Sequence, residues 1–168
     1  MKFPFSRKPR QNGYKIADAY EGLRNQALTF NPDDLHLGRA DKQKVWGVLM
    51  ETGHEKAVAT LVAMADNTAS LYFSNGGGII GSGQHEGPAK AAQLLVSEAS
   101  QFVNDCELIE NYPLPEPGRT RFYLLTYNGI FSTEASEEDF GNKRHKLSPL
   151  FHLAHDLISE IRIIDRKQ

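Results

Sequence analysis

Between residues 44 and 74 the chain reads KVWGVLMET, then KAVATLVAMA, then ASLYFS, separated only by Gly53-His54-Glu55 and Asp66-Asn67-Thr68. Val45, Val48, Val58, Val62, Tyr72 and Phe73 give these runs the β-branched and aromatic bias of strands. Three such runs in close succession make a strand meander and commit the chain to a sheet. Asn75-Gly76 follows as a hairpin signal, because both residues tolerate positive φ, and GII at 78–80 is the expected short return strand. Further on, TRFYLLTYNGIFSTEAS reads as a second hairpin turning at Asn128-Gly129.

Helical patterning brackets these strands. Over 15–30, Ile16, Ala19, Tyr20, Leu23, Ala27 and Phe30 recur on one side at 3.6 periodicity, and Pro32 in NPDD stops the run. Over 88–105, Ala91, Ala92, Leu95, Ala99, Phe102, Val103 and Cys106 form an apolar stripe, with Pro88 at the expected first position and Gly87 as its cap. From Ser148 and Pro149 onward, Leu150, Leu153, Ala154, Leu157, Ile161 and Ile164 make the stripe of a last helix. EASEED holds a possible single helical turn, with Ser136 as cap and Gly141 as its end. ENYPLPEPG reads as an extended connection. The expected fold is α+β: an antiparallel sheet of five to six strands in the order α-β(3-4)-α-β(2)-α, helices packed on the sheet. Residues 1–12 read as a disordered basic leader, and 13–168 as a single domain.

Charge sharpens that division. The whole chain has a formal net charge of -2. Residues 1–12 hold Lys2, Arg7, Lys8 and Arg10 and no acid, leaving 15 basic against 21 acidic residues in the remainder. This balance gives no whole-molecule reason to expect nucleic acid as a partner. Four leader cations are a thin footprint for it, although Phe3 and Phe5 could dock on a partner. Cys106 is the sole cysteine, so no intrachain disulfide can form. No apolar run reaches the length of a membrane span, and the leader lacks the apolar centre of a secretory signal, so the expected location is cytoplasmic.

The stretch SNGGGIIGSGQHEGPAK carries the strongest hint of chemistry. Gly76, Gly78 and Gly81 satisfy G-x-G-x-x-G, but no helix is expected to begin inside the turn and no parallel strand follows. Gln84-His85 stands where a phosphate loop needs Lys-Ser/Thr. Turn and helix lead-in are the expected roles of these glycines. His85 and Glu86, with Lys143, Arg144 and His145 of NKRHK, are the candidate anion- or ligand-binding residues, each group lying ahead of a helix N-terminus. His152 and His155 sit about 60° apart on the last helix and are candidates for a metal pair, expected to face away from the leucine stripe. Phe151, Ile158 and Ile163 extend the apolar surface of that helix and are the candidate interface. Cys106 is expected to be a core thiol rather than a nucleophile.

No complete catalytic constellation can be assembled from these residues, and no cofactor is expected. The order helix, strands, helix, strands, helix is similar to that of class I type III secretion chaperones, small dimeric α+β proteins. That resemblance lies in element order alone, and implies a chaperone-like module. The expected function is therefore non-catalytic protein interaction, with the chain itself (a homodimer) or another protein as partner. The alternative is a small-molecule or anion-binding protein, or an enzyme, with a pocket joining His85, Glu86, Arg144 and His145.

Overall fold

The computed structural model describes residues 13–38 and 44–168; the leader at 1–12 lies outside the described residues. The fold is α+β, with one antiparallel sheet and helices on both its faces. α1 spans Asp18–Leu28. The meander follows as β1 (Val45–Gly53), β2 (Val58–Met64), β3 (Ala69–Phe73) and β4 (Gly78–Ile79). α2 (Glu86–Ala99) leads to β5 (Glu107–Ile109), β6 (Arg119–Thr126) and β7 (Gly129–Ser136), and then to α3 (Glu137–Gly141) and α4 (Ser148–Lys167). The sheet has seven strands rather than five or six, in the order β4-β3-β2-β1-β6-β7-β5. The additional strand is β5, three residues at the edge that pair with β7 through Leu108 and Phe131. Its brevity and its flanking acids hide it from any alternation test.

Other differences are local. The 3–4 turn places positive φ on Gly76 and Gly77 rather than on Asn75. The second hairpin pairs Thr126 with Gly129, so its two-residue loop is Tyr127-Asn128, one position earlier than expected. α1 begins three residues later than its periodicity suggests and leaves Ala19 exposed. α2 starts at Glu86, with His85 in the cap position and Pro88 inside the first turn, where a missing N–H costs nothing. Its last expected turns tighten into a 3-10 helix over Ser100–Asp105. α3 is the expected turn, its Asp139 N–H donating to the Ser136 hydroxyl.

Strand alternation sorts the core into two layers. Val48, Met50, Leu61, Leu71, Phe122 and Leu124 point toward α2 and α4. Leu49, Val62, Tyr72, Tyr123 and Leu125 point toward α1 and the segment 112–114. α2 and α4 pack antiparallel, since Gly87 approaches the Glu160 side chain and Lys146 reaches Asp105 (3.4 Å) at the other end. Gly83 lies against the Asn67 backbone so closely that any Cβ would collide with its carbonyl, which gives the glycine-rich stretch a packing role.

Candidate functional site

The antiparallel helix pair decides where the expected site residues go. His85 lies beside Gln168, at the C-terminal end of α4 (3.5 Å), and Glu86 is exposed and paired with Lys90 (2.7 Å). His145 sits at the opposite end of α4, its ring nitrogen accepting the Leu147 N–H (3.0 Å) and its ring on Phe140. Arg144 is held by Asp139 (2.9 Å) and Glu138 (3.6 Å), and Lys143 is an exposed left-handed residue closing α3. Twenty helical residues, about 30 Å, separate the two groups. The fold therefore does not gather His85 and Glu86 with Lys143, Arg144 and His145 into one pocket.

The last helix also differs from its wheel. Phe151 is buried, stacked on Phe140 with ring centroids 5.5 Å apart, so it belongs to the core and is not open as interface. Ile158 is half-buried; only Ile163 of that trio is exposed. His152 is exposed, but His155 turns inward against Phe151 (4.4 Å), and its Nε2 is buried without a hydrogen-bond partner. Among the described residues no third His, Cys, Asp or Glu joins them as a metal-binding group. The Cys106 thiol is half-buried, and burial, helped by the charge of Asp105, pushes its pKa up to about 12.

A candidate binding site lies on the α1 face instead, and a distortion of β1 builds it. The pairing of β1 with β6 slips between Val45 and Gly47, so Trp46 is an extra residue in the ladder. Bulges re-aim side chains. Here Trp46 turns to the α1 face, while Val45 and Val48 stay on the other. Gly47 beside it packs close to β6, where a Cβ would come within 2.9 Å of the Leu125 side chain. Trp46 then lines a groove of about 380 Å³ with Phe30, Pro32, Glu110, Tyr112 and Tyr127. Phe30 leans on the indole at 6.2 Å, and Tyr112 meets Tyr123 edge-on at 6.0 Å. Trp46 is 4% exposed, yet its Nε1–H has no acceptor. A buried indole donor normally finds one.

A larger groove of about 460 Å³ runs between α1 and β2–β3, rimmed by the glycine stretch. Two polar members of its rim are already paired: Asp66 accepts from Thr68 (2.6 Å), and Asn67 accepts from Gln93 (2.6 Å). Beneath α1 lies the most elaborate polar cluster of the described residues. Arg24 donates to both oxygens of Glu51 (2.8 Å each) and to the Tyr112 carbonyl (2.8 Å); Thr60 donates to Glu51 (2.7 Å). Tyr20 bonds Thr60 (2.7 Å), and Tyr123 donates to the Pro113 carbonyl. Burial, with the Glu51 charge second, raises both tyrosines. Burial pulls Arg24 down, but the hydrogen bonds and charge of Glu51 outweigh it and raise its pKa. Glu51 is fully buried and every oxygen is engaged, so this cluster holds structure rather than offering a vacancy for substrate.

Sequence reasoning passed over Trp46, Tyr112 and Tyr127. The available signal was a lone tryptophan followed by glycine inside a strand, a pattern that marks bulges. No protein-family model, curated protein or solved structure matches the chain.

Proposed function

We propose that the chain is a non-catalytic, chaperone-like interaction module that associates with itself, its aromatic groove receiving residues 1–12 of a second copy. The cluster of Phe30, Trp46, Tyr112 and Tyr127 lining that groove is the observation that carries this reading. Aromatic grooves of this kind suit polyproline-like segments, because rings pack on proline and phenylalanine. Residues 1–12 hold Phe3-Pro4-Phe5 and Lys8-Pro9-Arg10, which match that chemistry. Charge supports the pairing as well. The leader has four cations and no acid, the groove lining includes Glu110, and Asp33 and Asp34 follow Pro32 in the sequence. Tyr127 is 42% exposed and Leu108 is 60% exposed beside it, so apolar surface continues onto the β5 edge.

Trp46 is the only tryptophan, so its emission reports the groove alone. Sedimentation equilibrium across a concentration series should show monomer passing to dimer, with Trp46 emission moving to the blue in step. Phe3→Ala with Phe5→Ala should weaken association at least about tenfold, the range of anchor residues. Added salt should weaken it further, since exposed charges are screened. A chain that stays monomeric at high concentration ends this reading, whether Trp46 stays unshifted or is protected independently of concentration by its own leader.

A further inference from the structure

On the opposite face, where β1 and β3 end and β2 begins beneath α4, the structure holds a partly open chamber of about 140 Å³. Its floor is apolar, with Met50, Leu61 and Leu71 each no more than 2% exposed, and Ile158 closes one side. Five polar side chains meet its wall: Thr52 and His54 from the end of β1, Glu137 from α3, and His155 and Arg162 from α4. Positions 155, 158 and 162 share one face of that helix by spacing. Thr52 is bonded to Thr120 (3.0 Å), whereas Glu137, His155 and Arg162 make no side-chain hydrogen bond or ion pair among the described residues, and His155 Nε2 is buried. Glu137 and His155 also line the open cleft next to the chamber, beside Gly118 and Asn142, so they stand at its entrance.

Unpaired groups of opposite sign around an apolar chamber differ from a structural salt bridge. A packed pair would close on itself, as Arg24 and Glu51 do. We infer that this chamber binds a small zwitterion with an aliphatic body, of the amino-acid class. Arg162 receives the carboxylate and Glu137 the ammonium group, with the His155 ring forming wall between the chamber and the open cleft. The sign argument selects the class. A lone anion gains Arg162 but meets Glu137, and a lone cation gains Glu137 but meets Arg162. Only a ligand with both charges satisfies both groups. Size selects within it, because the volume falls well below the ~300 Å³ at which pockets for drug-sized ligands begin. This site is independent of the aromatic groove, which lies across the sheet.

The test uses the full chain and four probes: L-leucine, glycine, 3-methylbutan-1-amine and 4-methylpentanoate. Nuclear magnetic resonance titration should show saturable leucine shifts centred on Glu137, His155 and Arg162. The amine, the carboxylate and glycine should each bind at least about tenfold more weakly, as expected when one charged contact or the apolar body is missing. Glu137→Gln should improve 4-methylpentanoate relative to the amine, and Arg162→Gln should do the reverse. Both side chains lie at the rim, so these variants should remain folded, which circular dichroism checks. Saturable shifts elsewhere, equal affinity for all four probes, or no saturable leucine shift would each overturn the assignment.

Discussion

The face of the sheet under α1 and the face under α2 and α4 carry ionisable side chains in opposite conditions. Under α1, Arg24 and Glu51 are buried and bonded to each other, to Thr60 and to the Tyr112 carbonyl. Under α4, Glu137, His155 and Arg162 surround a chamber without bonding among themselves. The two covers differ as well. α2 and α4 contribute Leu95, Val96, Leu157 and Ile161 to a continuous apolar layer. α1 is eleven residues long and buries only Tyr20, Arg24, Ala27 and Leu28. A short helix with so small an apolar stripe gains less from area alone, and polar anchoring supplies the position that burial does not define. Charge that is fully engaged fixes one element against another. Charge left unengaged beside a chamber is available to a ligand.

The contrast is broken most severely at Glu51. Removing it by Glu51→Ala strands the Arg24 guanidinium in the core, which typically costs about 3–5 kcal/mol. Urea unfolding should show that loss. Arg24→Met with Glu51→Leu should return to within about 2 kcal/mol of the native chain, because a pair replaced by apolar groups leaves no buried charge. A loss below about 1 kcal/mol for Glu51→Ala would mean that α1 is held mainly by apolar contact.

The helix-pair face should respond differently. Leu95→Ala opens a cavity in a layer made of apolar side chains, with an expected loss of about 3 kcal/mol. Since the sheet lies between the two sites, the combined variant Leu95→Ala with Glu51→Ala should lose the sum to within about 0.5 kcal/mol. Coupling well beyond that, measured by the same denaturation, would show that the two faces do not act separately.

Much of this architecture could be read from periodicity. The meander, both hairpins, the α3 turn and the stripe of α4 follow from alternation, turn residues and apolar spacing. What escaped was set by contacts between distant segments. Arg24 lies in a polar gap of the α1 wheel and becomes buried only because Glu51 awaits it on β1. Glu51 itself alternates correctly with Leu49, yet its charge disguises a fully buried strand position. The prolines of YPLPEPG read as a stiff linker. Their carbonyls are also docking points, the Pro115 oxygen accepting from Tyr14 (2.8 Å). For the sites, residue type pointed to histidines near helix starts, whereas the antiparallel pairing of α2 and α4 sent those groups to opposite ends. His155 was visible as a histidine, but not as one turned inward, since a helical wheel does not show which flank of α4 meets the sheet.

The smallest expected effect compares how the faces respond to acid. Burial holds His155 below the ordinary histidine value; His152 and Arg162 add to this, while Glu137 and Asp156 oppose it. Burial also lowers His145, with Asp105 and Asp139 opposing and Lys146 adding. Both rings belong to the α4 side. Because their folded pKa values lie below the unfolded ones, the unfolded chain binds more protons in the mildly acidic range. Stability should therefore fall as pH drops through the ordinary histidine range, and this contribution should level off once pH is below the folded values. Urea midpoints between about pH 7.5 and pH 5.5 span that range. His155→Gln with His145→Asn, the latter keeping an acceptor for the Leu147 N–H, should flatten the slope. The apolar replacement of Arg24 and Glu51 should leave it unchanged, since that pair lies across the sheet from both histidines. If the histidine variants keep the native slope, the acid sensitivity does not belong to the α4 face, and the contrast between engaged and unengaged ionisable groups loses its thermodynamic signature.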